Sequence, residues 1–306
     1  MKLEVKNINK SFSDKQILFD VSFDVSSSKA MGFLGRNGAG KTTTIRALMD
    51  VFKPDSGFFY LDGAPFDPTQ VKVGYLPEER GLYGKEPIKE QLKYFAKLKG
   101  ATNKEANDSA DYWLKRFNLD YASKHKLETL SKGNQQKIQI AQSLLNDPDI
   151  IILDEPFSGL DPVNSQVLKD VINEKINEDK IVIFSSHQMS YVEEFCDEIT
   201  LIDQGKIILS GSLNNIKQEL GNNRIRIIAR NLIAEDLVEL LKTQPFTKEC
   251  FYDKTSAIIE LNQMMSTNDF LQHIMSLNIE VEQFMPYYPS LHDIFVMKVG
   301  EVDETN

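Results

Sequence analysis

The sequence predicts an α/β fold with a helical insertion, followed by a smaller α+β domain of ferredoxin-like order. Three observations predict it. Short apolar strands alternate with helical segments up to about residue 215. A Gly-rich turn at 35–40 joins an apolar strand to a helix opening at Lys41. Beyond the linker-like stretch 219–223, the elements run strand, helix, strand, strand, helix, strand.

Each element has its own signal. Residues 2–8 and 16–25 read as strands, because Phe19, Val21, Phe23 and Val25 alternate with polar residues. A buried strand is expected at 30–34, with further strands at 58–62 and 71–75. From 85 to 145 the spacing turns helical, with Leu92, Phe95, Leu98 and then Trp113, Leu114, Phe117 on apolar faces. Strands follow at 150–153, 181–184, 199–202 and 207–209, with a helix after Pro162, a helix near Val192 and a tight turn at Gly205. The chain is expected to divide into residues 1–220 and 222–306. In the second part we expect strands at 224–229, 246–252, 256–262 and 278–284, helices at 232–242 and 267–276, and a last helix at 291–299.

Composition narrows the function class. A length of 306 residues allows two unequal domains, and 41% hydrophobic with 26% charged residues is ordinary for a soluble globular chain. The longest apolar runs, 150–153 and 181–184, fall far short of the about 20 residues a membrane helix needs. The first residues alternate like a strand, so no signal segment is expected and a cytoplasmic location is. A net charge of -10 argues against a general nucleic-acid binder, which needs a basic face. Cys196 and Cys250 match no metal spacing and read as reduced thiols.

The chemistry starts at Gly35, Arg36, Asn37, Gly38, Ala39, Gly40, Lys41 and Thr42, which fit G-x-x-x-x-G-K-[ST] between a strand and a helix. Chance would supply that string in roughly one chain of this length in a hundred, before the flanking strand and helix are required. Glycines let backbone N–H groups point inward at phosphate oxygens, and the helix N-terminus adds its positive end. Lys41 is placed for the β- and γ-phosphates, Thr42 for Mg²⁺, and Thr43 follows in the same turn. A P-loop NTPase core binding ATP follows. At the end of the 150–153 strand come Asp154, suited to hold Mg²⁺, and Glu155, suited to orient or deprotonate the attacking water. Asp161 with Pro162 next to it can cap the following helix.

The stretch Leu130, Ser131, Lys132, Gly133, Asn134, Gln135, Gln136, Lys137 resembles the signature motif L-S-G-G-Q of the ATP-binding subunits of ABC transporters. Ser131 precedes a helix whose free N–H groups can bind a second phosphate. The resemblance covers residues 1 to about 215, with every motif in family order. It implies an antiparallel β subdomain and a helical subdomain around the core. It also implies that the signature of one protomer, Ser131 to Asn134, acts in trans on ATP held by the other. Phe12 matches the aromatic that stacks on adenine, and His187 the switch histidine facing the γ-phosphate. Gly159 and Asp161 match the loop coupling the two sites across the dimer. Lys132 and Asn134 depart from the motif, and Glu78 stands where the family has a glutamine that senses Mg²⁺, a role an acid can also fill.

The variant loops around residues 74–83 and 131–136 and the ending at 289–295 look like the branch of bacterial sodium-efflux and drug-export ATPases. That implies a homodimer or a paralogous ATPase partner, a separate transmembrane permease, and a peripheral position on the inner face of the membrane. The competing class is a soluble ABC protein acting on ribosomes or DNA. Such proteins carry two ATP units in one chain, or long coiled coils or zinc sites, whereas this chain has one phosphate loop and one signature. Residues 222–306 contain no catalytic motif, and His273 and His292 lack metal-ligand companions. Two roles are open to that region, support of the dimer and regulation of access to the ATP site, and support of the dimer is the expected one.

Overall fold

The computed structural model describes residues 1–304 apart from 79, 80, 187, 222, 263 and 264. It divides into two compact units, Met1–Leu213 and Asn214–Asn306.

In the first unit, β1 (Lys2–Phe12) and β2 (Lys15–Ser26) form an antiparallel hairpin with Leu3 opposite Val25. One face of it is buried, carrying Leu3, Val5, Ile8, Leu18, Val21 and Val25. β3 (Ala30–Leu34) then runs into α1 (Lys41–Leu48). β4 (Ser56–Leu61) and β5 (Ala64–Pro65) complete an antiparallel sheet of order β2-β1-β4-β5. After β6 (Val73–Leu76) come α2 (Ile88–Leu98), α3 (Asn103–Arg116) and α4 (Lys132–Ser143), the expected helical insertion. α2 buries Ile88, Leu92 and Ala96, one residue per turn, and Thr102 with Glu105 closes a reciprocal cap at the start of α3.

The chain returns to the sheet through β7 (Ile150–Asp154), α5 (Pro162–Asn177), β8 (Ile181–Ser185), α6 (Met189–Phe195), β9 (Glu198–Asp203) and β10 (Lys206–Ser212). The central sheet has order β10-β9-β3-β8-β7-β6, parallel except for β10 at one edge. β3, β7 and β8 are buried along their whole length, which is why they read as unbroken apolar runs. Met31, Phe33, Ile150, Ile152, Ile181 and Ile183 share a core with Ile45 and Leu48 of α1 and the inner faces of β1 and β2.

The division between units falls at the start of α7 (Leu213–Leu220). Residues 219 and 220, expected in the linker, are instead the last turn of α7, whose Leu213 and Ile216 are buried three positions apart. The second unit contains β11 (Arg224–Ala229), α8 (Ala234–Lys242), β12 (Thr247–Tyr252), β13 (Ala257–Leu261), α9 (Thr267–Ser276), β14 (Val281–Pro286) and α10 (Leu291–Glu304). Its sheet order is β12-β13-β11-β14, antiparallel throughout, as a ferredoxin-like chain requires. β14 begins three residues later than its spacing predicted, because Asn278 takes a left-handed turn at φ 60 after α9. Ile225, Ile227, Leu237, Leu241, Ile259, Phe270 and Ile274 form the core of this unit.

Candidate functional site

β8 and β9 flank β3 on opposite sides. Such a switch in strand order leaves a crevice at the carboxyl ends of the strands, where α/β sheets hold ligands. The phosphate loop leaves the end of β3, and the acid pair closes β7. Gly40 sits at φ 113, and a side-chain carbon there would lie 2.8 Å from Leu18 Cδ2, so only glycine completes this turn. Lys41 is 8% exposed. Its ammonium donates to the carbonyls of Gly35 at 2.8 Å and Arg36 at 3.2 Å. Burial lowers its pKa, opposed by the nearby charges of Glu155, Asp154 and Glu78. The Ala39 carbonyl accepts from the Gly205 N–H at 2.9 Å.

A cavity of about 310 Å³ is lined by Asn37, Gly38, Gly40, Lys41, Thr42, Thr43, Glu78, Asp154 and Glu155. The structure therefore brings together the phosphate loop, the acid pair and Glu78, three segments far apart in sequence. Asp154 is 2% exposed. One of its oxygens accepts from the Ser185 hydroxyl, and the other lies 3.4 Å from Thr42 Oγ1. Glu155 occupies the left-handed region at φ 50 and donates its N–H to the Ser185 carbonyl at 3.1 Å. His187, assigned as the switch histidine, lies outside the described residues. Among the described residues no group of three or more His, Cys, Asp or Glu could hold a metal by itself. A hydroxyl with one or two carboxylates nevertheless fits Mg²⁺, which keeps several waters and completes its shell on substrate phosphates. Thr42, Asp154 and Glu78 are the residues that would hold it.

The signature residues are not in this lining. Ser131 caps α4 and accepts from the Asn134 N–H at 3.4 Å. Lys132 is exposed at the first position of that helix. Gly133 faces the Gly159 carbonyl, from which a side-chain carbon at this position would be 3.5 Å away. Gln136, buried one turn on, donates to the Pro156 carbonyl at 3.2 Å and ties α4 to the segment following Glu155. Asp161 caps α5, accepting from the Asn164 N–H at 2.9 Å, and that bond holds its carboxyl below the usual range. Phe12 also lies outside the cavity lining. It is 46% exposed, edge-on to Phe52 at 5.1 Å, with the Lys10 ammonium 5.4 Å from its ring centre. Sequence reasoning missed the contacts of Ser185, Ser186, Gly205 and Gln136. In the sequence the first two are only the residues before His187, and Gly205 is only a turn.

Residues 18–158 match the family described as ABC transporter, and residues 211–299 match the family described as ATP-binding protein DrrA1-3-like, C-terminal domain. The uncharacterized ABC transporter ATP-binding protein YhaQ of Bacillus subtilis is 38% identical over 307 residues, covering 99% of this chain and 100% of its own. The chain belongs to the ABC transporter ATP-binding proteins. This ABC ATPase is also similar to the linearmycin resistance ATP-binding protein LnrL of Bacillus subtilis, at 34% identity over 97% of this chain and 98% of that one. A solved ATP-binding subunit of an ABC transporter superposes with a TM-score of 0.67 at 29% identity, covering 72% of this chain and 94% of that chain. The chain binds ATP and hydrolyses it, as an ATP-binding subunit of this family.

Proposed function

We propose that this ATPase drives export through a separate membrane permease, by closing as a dimer on ATP and opening after hydrolysis. The N–H groups of residues 35–43, with the Lys41 ammonium, hold the phosphates. Thr42, Asp154 and Glu78 would hold Mg²⁺, which when bound would neutralise negative charge on the phosphates. Glu155 orients the attacking water and takes its proton, His187 faces the γ-phosphate, and Phe12 stacks on adenine. Ser131, Lys132, Gly133 and Asn134 act on nucleotide held by the other protomer, with Gly159 and Asp161 coupling the two sites.

The observation that carries the reading is the position of the signature helix. Its capped N-terminus stands outside the phosphate cavity of its own chain, while Gln136 ties it to the segment after Glu155. One cradle per nucleotide is already complete on the phosphate loop. A second cradle is therefore free for nucleotide on another copy or a paralogue.

In this reading residues 1–220 are the ATP-binding domain and 222–306 an accessory domain that supports the dimer. Among the described residues no helix is long and apolar enough to cross a membrane, and we assign the membrane path to the permease. The ATPase then sits peripherally on its cytoplasmic face. The name of LnrL as a resistance protein supports export over import.

Mixing two inactive variants tests the dimer. In a heterodimer of Ser131→Arg and Glu155→Gln chains, one site combines an intact Glu155 with an intact signature. The mixture should regain ATP hydrolysis that neither variant shows alone. No recovery in verified heterodimers would overturn action in trans.

A further inference from the structure

Two adjacent acids at the end of β7 meet two adjacent serines at the end of β8. The strands run parallel with Asp154 paired to Ser185. The Ser185 hydroxyl donates to Asp154 Oδ1, which leaves Oδ2 turned toward Thr42. One residue further, the Ser186 hydroxyl donates to Glu155 Oε2 at 3.4 Å and accepts from the Gln188 N–H at 3.0 Å. Ser185 is 0% and Ser186 1% exposed, so their hydroxyls must find partners inside the protein. The bond from Ser186 is long, as bonds within catalytic sites commonly are before substrate closes them.

Glu155 needs this support. Its backbone stands at φ 50, a region costly for any residue with a side-chain carbon. The bond from its N–H to the Ser185 carbonyl holds that conformation. Beyond the backbone, a glutamate retains several rotatable bonds, and fixing them costs conformational entropy unless a partner captures the carboxylate. Ser186 is such a partner, and it directly follows β8, the strand that separates β7 from β3.

Resting on the reading of Glu155 as the group that activates water, we infer that Ser186 is a positioning residue for hydrolysis. Its hydroxyl holds Oε2 of Glu155 and so restricts how the carboxylate can turn. Ser185 does the equivalent for Asp154, fixing which oxygen meets Thr42. Because Ser186 acts through Glu155 and not through the phosphate loop, its loss slows turnover without weakening ATP binding.

The test uses the full chain and compares Ser186→Ala, Glu155→Gln and the double variant. Ser186→Ala should lower kcat roughly tenfold, the expected loss of one hydrogen bond to a charged group. KM, and the dissociation constant for ATP measured by calorimetry without Mg²⁺, should stay within about twofold. Glu155→Gln should retain only a residual rate, and adding Ser186→Ala to it should change that rate no further. A Glu155→Gln protein with wild-type turnover would remove the role of Glu155 itself. With Glu155→Gln inactive, the positioning role is overturned by a wild-type kcat in Ser186→Ala. It is equally overturned if ATP affinity falls by the same factor as kcat/KM, or if the double variant loses a further tenfold.

Discussion

Replacing Gly205 with alanine should loosen the floor beneath the phosphate loop, and the cost can be worked from its surroundings. Gly205 turns between β9 and β10 at φ 76, and an added side-chain carbon would lie 1.9 Å from the Ile17 carbonyl oxygen. That oxygen belongs to the backbone of β2 and cannot swing aside, so the turn itself must retreat. The left-handed conformation costs roughly 1 kcal/mol for alanine. A forced backbone shift in a close-packed region adds about 1–3 kcal/mol. The retreat also stretches two bonds, Gly205 N–H to Ala39 O at 2.9 Å and Phe19 N–H to Gly205 O at 2.8 Å. Each contributes about 1 kcal/mol. Gly205→Ala should therefore destabilise the first unit by about 4–6 kcal/mol, a large part of the roughly 5–15 kcal/mol a domain has. The chain's single tryptophan, Trp113, is 3% exposed within that unit. Urea unfolding followed by its fluorescence thus reports that unit without the other. A loss below about 1 kcal/mol would refute the reasoning, because the turn would then have somewhere to go.

Lys41→Ala removes the buried ammonium from the cavity, and ATP binding should weaken by at least roughly tenfold to a hundredfold; an unchanged affinity by calorimetry would contradict its role. Lys99 is exposed as a residue, but its ammonium lies 3.3 Å from the Ser143 carbonyl oxygen, and the loss of water around it there pulls its pKa down to about 8. An unfolded lysine titrates near 10.4, so between about pH 8 and about pH 10 the unfolded chain binds more protons and stability should rise with pH. Lys99→Met should flatten that rise in urea titrations read at Trp113, and an identical slope in both proteins would refute the assignment. A chain ending at Leu220 should still bind ATP but form a weaker ATP-driven dimer. An unaltered monomer–dimer equilibrium in sedimentation would instead favour a regulatory role for the second unit.

The phosphate loop was legible because everything that shapes it is local: glycine spacing, the strand before it and the helix after it. The same holds for the β-α-β-β-α-β order of the second unit, where amphipathic periods change sharply at each turn. Asp154 and Glu155 were legible as a strand-end acid pair for the same reason. Ser185 and Ser186 were not. Their meaning depends on β8 lying beside β7 with Asp154 opposite Ser185, and no local pattern says which strands pair or in what register. Gly205 reads as a turn in any sequence, but its bond to Ala39 exists only because β9 lies next to β3. α7 goes unread in the sequence because Gly221 and the asparagines after it advertise a linker, while the burial of Leu213 and Ile216 shows only in three dimensions.

The place of β8 in the central sheet also has a consequence for size. It lies between the strand that carries the loop and the strand that carries the acids. Two inter-strand spacings set their backbones roughly 10 Å apart. That gap is a gauge with a fixed step: it can change only by a whole strand, never by a fraction of an ångström. Any fine adjustment of what fits between loop and acids must then come from side chains at the tip of β8, where small residues leave room and larger ones would take it away.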